Sequence, residues 1–214
     1  MTDPDWQYPP PGSFGLATIQ GVGGAVIAGL QALTGDGSRF THAFVVVDGG
    51  SVVEAVPSGA QLAPLAKYTE RARVYADVRF TDAPVQAALA DFEGYSSLDQ
   101  ADPLADQILA GQRDAYERNL RAALSATARN LVGTPYSFAD YLALAALHLK
   151  LPVPRVRAFV ASSGHMICSQ LVDAVYCRNG LHLFTDGRPS QDVTPGDLDR
   201  YRVEVLERLQ PRGA

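Results

Sequence analysis

Residues 162–172 read SSGHMICSQLV, and the rest of the chain is organised around them. A small, turn-forming Ser-Ser-Gly run precedes Cys168. Apolar residues then recur at helical spacing up to a stop at Asn179-Gly180: Ile167, Leu171, Val172 and Val175. This pattern predicts a helix with Cys168 in its first turn. There the unpaired backbone N–H groups and the positive end of the helix dipole favour a thiolate, the form of cysteine that attacks carbonyl groups.

A thiol in this position needs a base, and the best candidate is His42, which opens the apolar run HAFVVV. A Gly-rich turn at 48–50 follows, and then a second β-branched run, SVVEAV, at 51–56, so the two runs predict a β-hairpin. With a three-residue loop, Phe44 faces Glu54, and Glu54 then lies on the same face as His42. A two- or four-residue loop would turn Glu54 away.

Cys168, His42 and Glu54 supply the parts of a cysteine-hydrolase triad: a nucleophile, a general base and a group that fixes the imidazole tautomer. Each residue has a plain alternative. Cys168 fits a small buried hydrophobic position, His42 a core histidine bonded to backbone, and Glu54 the exposed face of a strand. His165 is a second candidate base, or one half of an HxxC metal pair. A zinc site needs further thiols or histidines at suitable spacing, so we expect no metal.

The composition is that of one globular domain. The chain has 214 residues, of which 47% are hydrophobic and 19% charged, enough for one well-filled core. A net charge of -5 and a pI near 5.3, with no basic stripe, exclude a nucleic-acid partner. The only two cysteines, Cys168 and Cys177, would lie on opposite faces of one helix, about 13 Å apart along its axis, and cannot bond to each other.

The remaining pattern predicts a single domain over 1–214 with a helical insertion at about 84–130. The insertion is interpreted as a pair of helices, 85–92 and 112–131, with a polar loop at 94–106 between them. Outside the insertion, the predicted elements are a helix at 139–149, a short helix after the turn at 193–198, and strands at 73–78 and 201–206.

One uncharged stretch, 14–34, is long enough to raise the question of a transmembrane helix. It is rich in glycine, and no Lys or Arg flanks its start, so we interpret it as a buried or interfacial segment. The residues MTDPD at the start lack the basic region of a signal peptide. We therefore expect a cytoplasmic protein, with peripheral contact to a membrane or lipid surface left open.

Several short motifs along the chain can be compared with a known protein family. They are THAFVVV (41–47), VVEA (52–55) with PSG (57–59), GTPYSF (133–138), ICSQLV (167–172) and VTPGDL (193–198). In these motifs the sequence resembles the circularly permuted NlpC/P60 (papain-like) superfamily, in which histidine precedes cysteine. It is most similar to bacterial lipoprotein-like and hypothetical members whose third residue is Glu.

The resemblance implies an α+β, permuted papain-like fold, in which a small antiparallel sheet packs on the cysteine helix. It implies Cys168 as nucleophile, His42 as base and Glu54 as the orienting group, with Tyr136 and Ser169 at the oxyanion or substrate-binding site. The implied activity is a cysteine hydrolase (peptidase or amidase) without cofactor or metal, acting on a peptide or acyl substrate such as a cell-wall peptide. A lipid-directed thiol acylase or acyltransferase and a catalytically inactive binding module are the alternatives.

Overall fold

The computed structural model describes residues 9–19, 38–68, 73–76, 103–136, 166–184 and 186–206. Five strands lie in this part of the chain: β1 Phe14–Ala17, β2 His42–Val47, β3 Ser51–Val56, β4 Gly59–Pro64 and β5 Arg73–Ala76. The helices are α1 Pro103–Asn130, α2 Cys168–Cys177 and α3 Pro195–Tyr201. Short helical turns occur at Leu65–Tyr68 and Ser190–Asp192, both 3₁₀, and at Arg202–Leu206, which is π-helical. The protein is therefore of the α+β class.

The strands form one antiparallel sheet in the order β4-β3-β2-β1-β5. The hairpin of β2 and β3 has the predicted three-residue loop, in which Gly49 and Gly50 adopt positive φ angles of 71° and 65°. Phe44 lies opposite Glu54, which confirms the predicted register. His42 and Glu54 therefore lie on the same face of the sheet, because side chains alternate along a strand.

The two faces of the sheet carry different clusters. Alternate residues of β2, beginning at Ala43, pack in the main core with α1 and α2, whereas Phe44 and Val46 pack on the opposite face with Tyr68. His42 lies two residues before Phe44, on the same face of the sheet, and is the first residue of β2. Because His42 lies at the end of its strand, its side chain can reach the start of α2, although α2 packs on the other face.

Two strands were not predicted from the sequence. β1 lies inside the uncharged stretch that we interpreted as buried or interfacial, and it is an inner strand, paired with both β2 and β5. Gly15 is required there, because a Cβ at this position would lie 2.2 Å from Cζ of Phe44. The rest of the uncharged stretch, from residue 20, lies outside the described residues. β4 was also missed, since the sequence after Val56 suggested only a turn.

The helices agree with the sequence in part. α2 begins at Cys168 as predicted, and the chain leaves it through Gly180, which has a φ of 78°. α1 begins at Pro103 rather than Gln112, so the expected loop at 94–106 was placed too far along the chain. Proline is well tolerated in the first turn of a helix, where its missing N–H would have no partner. The other predicted helix of the insertion and the one at 139–149 lie outside the described residues.

The predicted strand at 201–206 is wrong. α3 continues through Tyr201, and the chain then forms a π-helical turn. Val203 and Val205 alternate with polar residues, a pattern that suggested a strand. However, the helix before them has a well-formed N-terminal cap. The Thr194 hydroxyl accepts from the Asp197 N–H (3.0 Å), and the Asp197 carboxylate accepts from the Thr194 N–H (3.0 Å), a reciprocal cap.

Within the described residues, no helix combines the length and the apolar character needed to cross a bilayer.

Candidate functional site

Cys168 is the first residue of α2 and is buried, with 2% of its surface exposed. Its position is held by Gln170, whose side-chain oxygen accepts from the Ile167 N–H (3.0 Å) and whose amide nitrogen donates to the Gln191 carbonyl (2.8 Å). The first intrahelical bond runs from the Leu171 N–H to the Ile167 carbonyl (3.0 Å). Helix geometry therefore leaves the Cys168 N–H without an intrahelical acceptor.

His42 joins the two other members of the predicted triad. Its Nε2 lies 3.1 Å from Oε2 of Glu54, and the Cys168 side chain is close enough to the imidazole to raise its pKa. Because Nε2 is used by Glu54, Nδ1 is the ring nitrogen left for the sulfur. Three side chains from three remote segments therefore meet with the imidazole in the middle.

The surroundings of His42 favour its protonated form. Burial by itself would lower the pKa of His42, but the hydrogen bonds to Cys168 and Glu54, and the negative charges of those groups, raise it from 6.5 to about 9. A base with this pKa keeps a proton taken from sulfur at neutral pH. The site is thus arranged to stabilise an imidazolium, with the Glu54 carboxylate and Cys168 both beside the ring.

Glu54 is fully buried and uses both carboxylate oxygens. Oε2 accepts from His42 and from the Tyr68 hydroxyl, and Oε1 accepts from the Gln61 amide (3.0 Å) and from the Lys67 ammonium. Burial would raise the pKa of this carboxyl, but the four hydrogen bonds together hold it well below its usual range. Glu54 is therefore ionised across the physiological pH range.

Aromatic packing fixes the imidazole plane. The Tyr68 ring stacks on that of Phe44, with centroids 4.1 Å apart and planes 17° from parallel, and it lies 6.0 Å from the imidazole at an angle of 23°. Tyr68 thus holds Glu54 through its hydroxyl and borders His42 with its ring. A histidine packed in this way keeps one orientation, which a general base needs.

Tyr136 and Ser169, the two other predicted site residues, differ in their contacts near Cys168. Tyr136 is half-buried against the core cluster that contains Cys168, and burial, followed by the nearby charge of Cys168, raises the pKa of its hydroxyl above its ordinary range. Its predicted place near the oxyanion site or the substrate cleft stays a prediction. The Ser169 hydroxyl is buried and donates to the Val193 carbonyl (2.7 Å), so this hydroxyl is committed to holding α2. Any contact of Ser169 with a substrate would have to use its backbone N–H.

The second cysteine lies at the other end of α2. Sγ of Cys177 is 3.5 Å from Oδ2 of Asp173 and 3.6 Å from Nδ1 of His182. Burial and the charge of Asp173 raise the pKa of this thiol. Both thiols are free. No group of three or more His, Cys, Asp and Glu side chains in the described part of the chain is arranged to hold a metal. His165, the alternative base or metal ligand, lies outside that part.

Sequence reasoning missed the residues that surround Glu54. Gln61 lies directly opposite Glu54 on β4, so a correct prediction of that strand would have found it. Lys67 and Tyr68 belong to the 3₁₀ turn after β4, and no periodicity in the sequence pointed to them. Comparison of the sequence with protein-family models and with curated proteins finds no match.

Proposed function

We propose that the protein is a cysteine hydrolase that cleaves an amide or peptide bond through Cys168, His42 and Glu54, within a permuted papain-like fold. One observation carries the proposal: the His42 imidazole lies beside a thiol at a helix start and is hydrogen-bonded to a buried carboxylate. A core histidine bonded to backbone would not need either partner. The proposal also accounts for a buried glutamate, since burying a carboxylate is costly without donors around it.

In the first half of the reaction, the proton of the Cys168 thiol moves to Nδ1 of His42, and the sulfur bonds to the carbonyl carbon of the substrate. The carbonyl π electrons move to oxygen, and the resulting oxyanion accepts a hydrogen bond from the Cys168 N–H, which has no intrahelical acceptor at the helix start. When the intermediate collapses, the carbon–nitrogen bond breaks. The leaving amine takes the proton from His42, and an acyl thioester remains on Cys168.

In the second half, His42 takes a proton from water, and the oxygen of that water attacks the thioester carbon. The carbon–sulfur bond breaks, the acid product leaves, and the proton held by His42 returns to the sulfur. Glu54 stays ionised throughout and holds Nε2–H, so that Nδ1 keeps facing Cys168. Cell-wall peptides are the substrate class that the family resemblance favours.

The first experiment is alkylation with iodoacetamide, followed by peptide mass mapping of both cysteines. We expect His42→Ala to slow alkylation of Cys168 by about 100-fold, because the base that holds the thiol proton is gone. Alkylation of Cys177 should change by less than about twofold, which makes it an internal control for folding. His182→Ala is the matched histidine variant and should leave Cys168 alkylation unchanged.

Equal alkylation of Cys168 in the wild type and in His42→Ala would contradict the pairing. Turnover is tested separately by incubating a muropeptide digest with the protein and searching for new amine and acid products by mass spectrometry. Reactive Cys168 without products from the digest or from simple amides would favour the inactive binding module.

The lipid-directed alternative depended on two apolar stretches, 14–34 and 139–149. Of these, Phe14–Ala17 is an inner strand with buried side chains, and it has no free face for a lipid. Residues 20–34 and 139–149 lie outside the described part of the chain. Nothing in the described residues favours acyl transfer over hydrolysis.

A further inference from the structure

Among the described residues, Lys67 makes the one ion pair with Glu54 that is not part of the predicted triad. Its ammonium donates to Oε1, while His42 uses Oε2. The Lys67 side chain is 31% exposed, whereas the Glu54 side chain is fully buried, so the pair spans the boundary between solvent and core. The ammonium also lies 5.6 Å from the centroid of the Tyr68 ring, a cation–π distance.

The described groups that face Glu54 come from three elements. His42 belongs to β2, Gln61 to β4, and Lys67 and Tyr68 to the 3₁₀ turn; behind His42 stands Cys168 of α2. With the thiol and the imidazole neutral, the only charges of this set are those of Glu54 and Lys67, and they cancel. Moving the proton from sulfur to the imidazole creates one negative and one positive charge, which cancel as well.

Without Lys67 the same site would carry a net charge of −1 in both states. A buried and uncompensated carboxylate is costly, and it would raise the pKa of His42 further than the structure already does. An imidazolium that holds its proton too tightly cannot give it to the leaving amine. Lys67 removes this problem while leaving both Glu54 oxygens in hydrogen bonds that fix their direction.

We propose that Lys67 is a positioning residue that neutralises the Glu54 carboxylate, so that Glu54 orients His42 without imposing a net charge on the Cys168–His42 pair. This inference rests on the proposed function for its consequence in turnover. The expected effect of Lys67 on the pKa of His42 does not depend on turnover. This inference and the proposed function can therefore be contradicted separately.

The test is a double-mutant cycle of Lys67→Met and Glu54→Gln. Glu54→Gln leaves an unbalanced ammonium near His42, and we expect turnover of the muropeptide digest to fall by about 100-fold. The double variant restores neutrality and should be at least about tenfold more active than Glu54→Gln alone. A merely structural Lys67 would make the double variant as poor as Glu54→Gln or worse, and this result would overturn the inference.

The second readout is the pKa of His42, measured by NMR in a Cys168→Ser background, where the sulfur no longer titrates. We expect the pKa to fall by about 1 in Glu54→Gln, to rise by about 1 in Lys67→Met, and to return to within about 0.5 of the parent in the double variant. Lys67→Arg keeps the charge and should keep the parent pKa. If Lys67→Met does not fold, Lys67→Gln takes its place in the cycle.

Arg129→Met is the control, because Arg129 pairs with Asp48 (3.0 Å) at the turn of the same hairpin, with both side chains more than one-third exposed. It should leave the pKa of His42 unchanged. An unchanged pKa of His42 in Lys67→Met would contradict the proposed neutralisation of Glu54 by Lys67, whatever the turnover of that variant. The expected pKa shifts without any turnover in the wild type would instead leave the charge balance standing and contradict the hydrolase.

Discussion

Cys168 and Cys177 occupy the two ends of one helix and have opposite surroundings. Cys168 is buried at the start of α2, where the helix dipole favours negative charge, and its partner is a histidine from β2. Cys177 is half-buried at the end, where the dipole disfavours negative charge, and one of its partners is the carboxylate of Asp173. The two thiols therefore have opposite electrostatic surroundings: a histidine lies beside Cys168, whereas burial and a nearby carboxylate raise the pKa of Cys177.

The difference lies in what each end of the helix meets. The start of α2 meets the end of the sheet, which supplies a histidine and, through it, a buried glutamate with four hydrogen-bond partners. The other end meets the loop that follows the helix, whose His182 is exposed. Both ends of the helix thus place a histidine near a thiol, and at the start a buried carboxylate also holds the histidine ring.

The largest expected effect is a difference in turnover between variants of the two cysteines. Cys168→Ser should reduce cleavage of the muropeptide digest by at least about 10⁴-fold, because loss of a nucleophile removes the whole covalent pathway. Cys177→Ser changes a thiol that the reaction does not use, and turnover should stay within about twofold of the wild type. Initial rates by mass spectrometry measure both. Similar losses of turnover in the two variants would contradict the proposed difference between the two ends of α2.

A smaller effect is expected from the side chains that fix the two ends. Gln170 holds the start of α2, and Asn179 holds its end by donating to the Val175 carbonyl (2.8 Å) and to the Thr127 hydroxyl (3.0 Å). Gln170→Ala and Asn179→Ala should each lower the free energy of unfolding by about 2 kcal/mol, measured by urea denaturation, since each loses two hydrogen bonds.

Only Gln170→Ala should also lower turnover, by about tenfold, because it loosens the position of Cys168 and of the N–H beside it. Asn179→Ala is the matched control for lost stability. Equal turnover in these two variants would mean that the start of the helix needs no special support.

The smallest effect concerns the thiol at the end of the helix. Burial and then the charge of Asp173 raise the pKa of Cys177, so Asp173→Asn should lower that pKa and increase the thiolate fraction at any pH below it. In a Cys168→Ser background, the rate of iodoacetamide alkylation at pH 8 should rise about threefold. An unchanged or slower rate would show that burial alone, and not Asp173, protects this thiol.

The parts of the fold that were predicted correctly depend on local pattern. The hairpin of β2 and β3 follows from two β-branched runs around a Gly-rich turn, and the loop length then sets the register that puts Glu54 on the face of His42. α2 follows from helical spacing after a turn-forming run. In both cases the residues that specify the structure are neighbours in the chain.

The parts that were missed depend on residues far apart in the chain. Phe14–Ala17 is too short to stand out in an uncharged, glycine-rich stretch, and it is a strand because β2 and β5 lie on either side of it. Residues 201–206 alternate like a strand, but the capped helix before them continues. Lys67 and Tyr68 become part of the site only because the 3₁₀ turn after β4 brings them to a carboxylate thirteen and fourteen positions upstream.

The sequence by itself determined which chemical groups are available and their local settings: a thiol at a helix start, a histidine opening a strand, and an acid on the same face. Only the tertiary structure decided that the imidazole lies between the other two, and that a lysine, a tyrosine and a glutamine surround the acid. The physical reason is that a hydrogen bond to a buried charge requires a partner in the right direction within about 3 Å. Spacing along the chain sets direction within one element, but the packing of elements sets it between them.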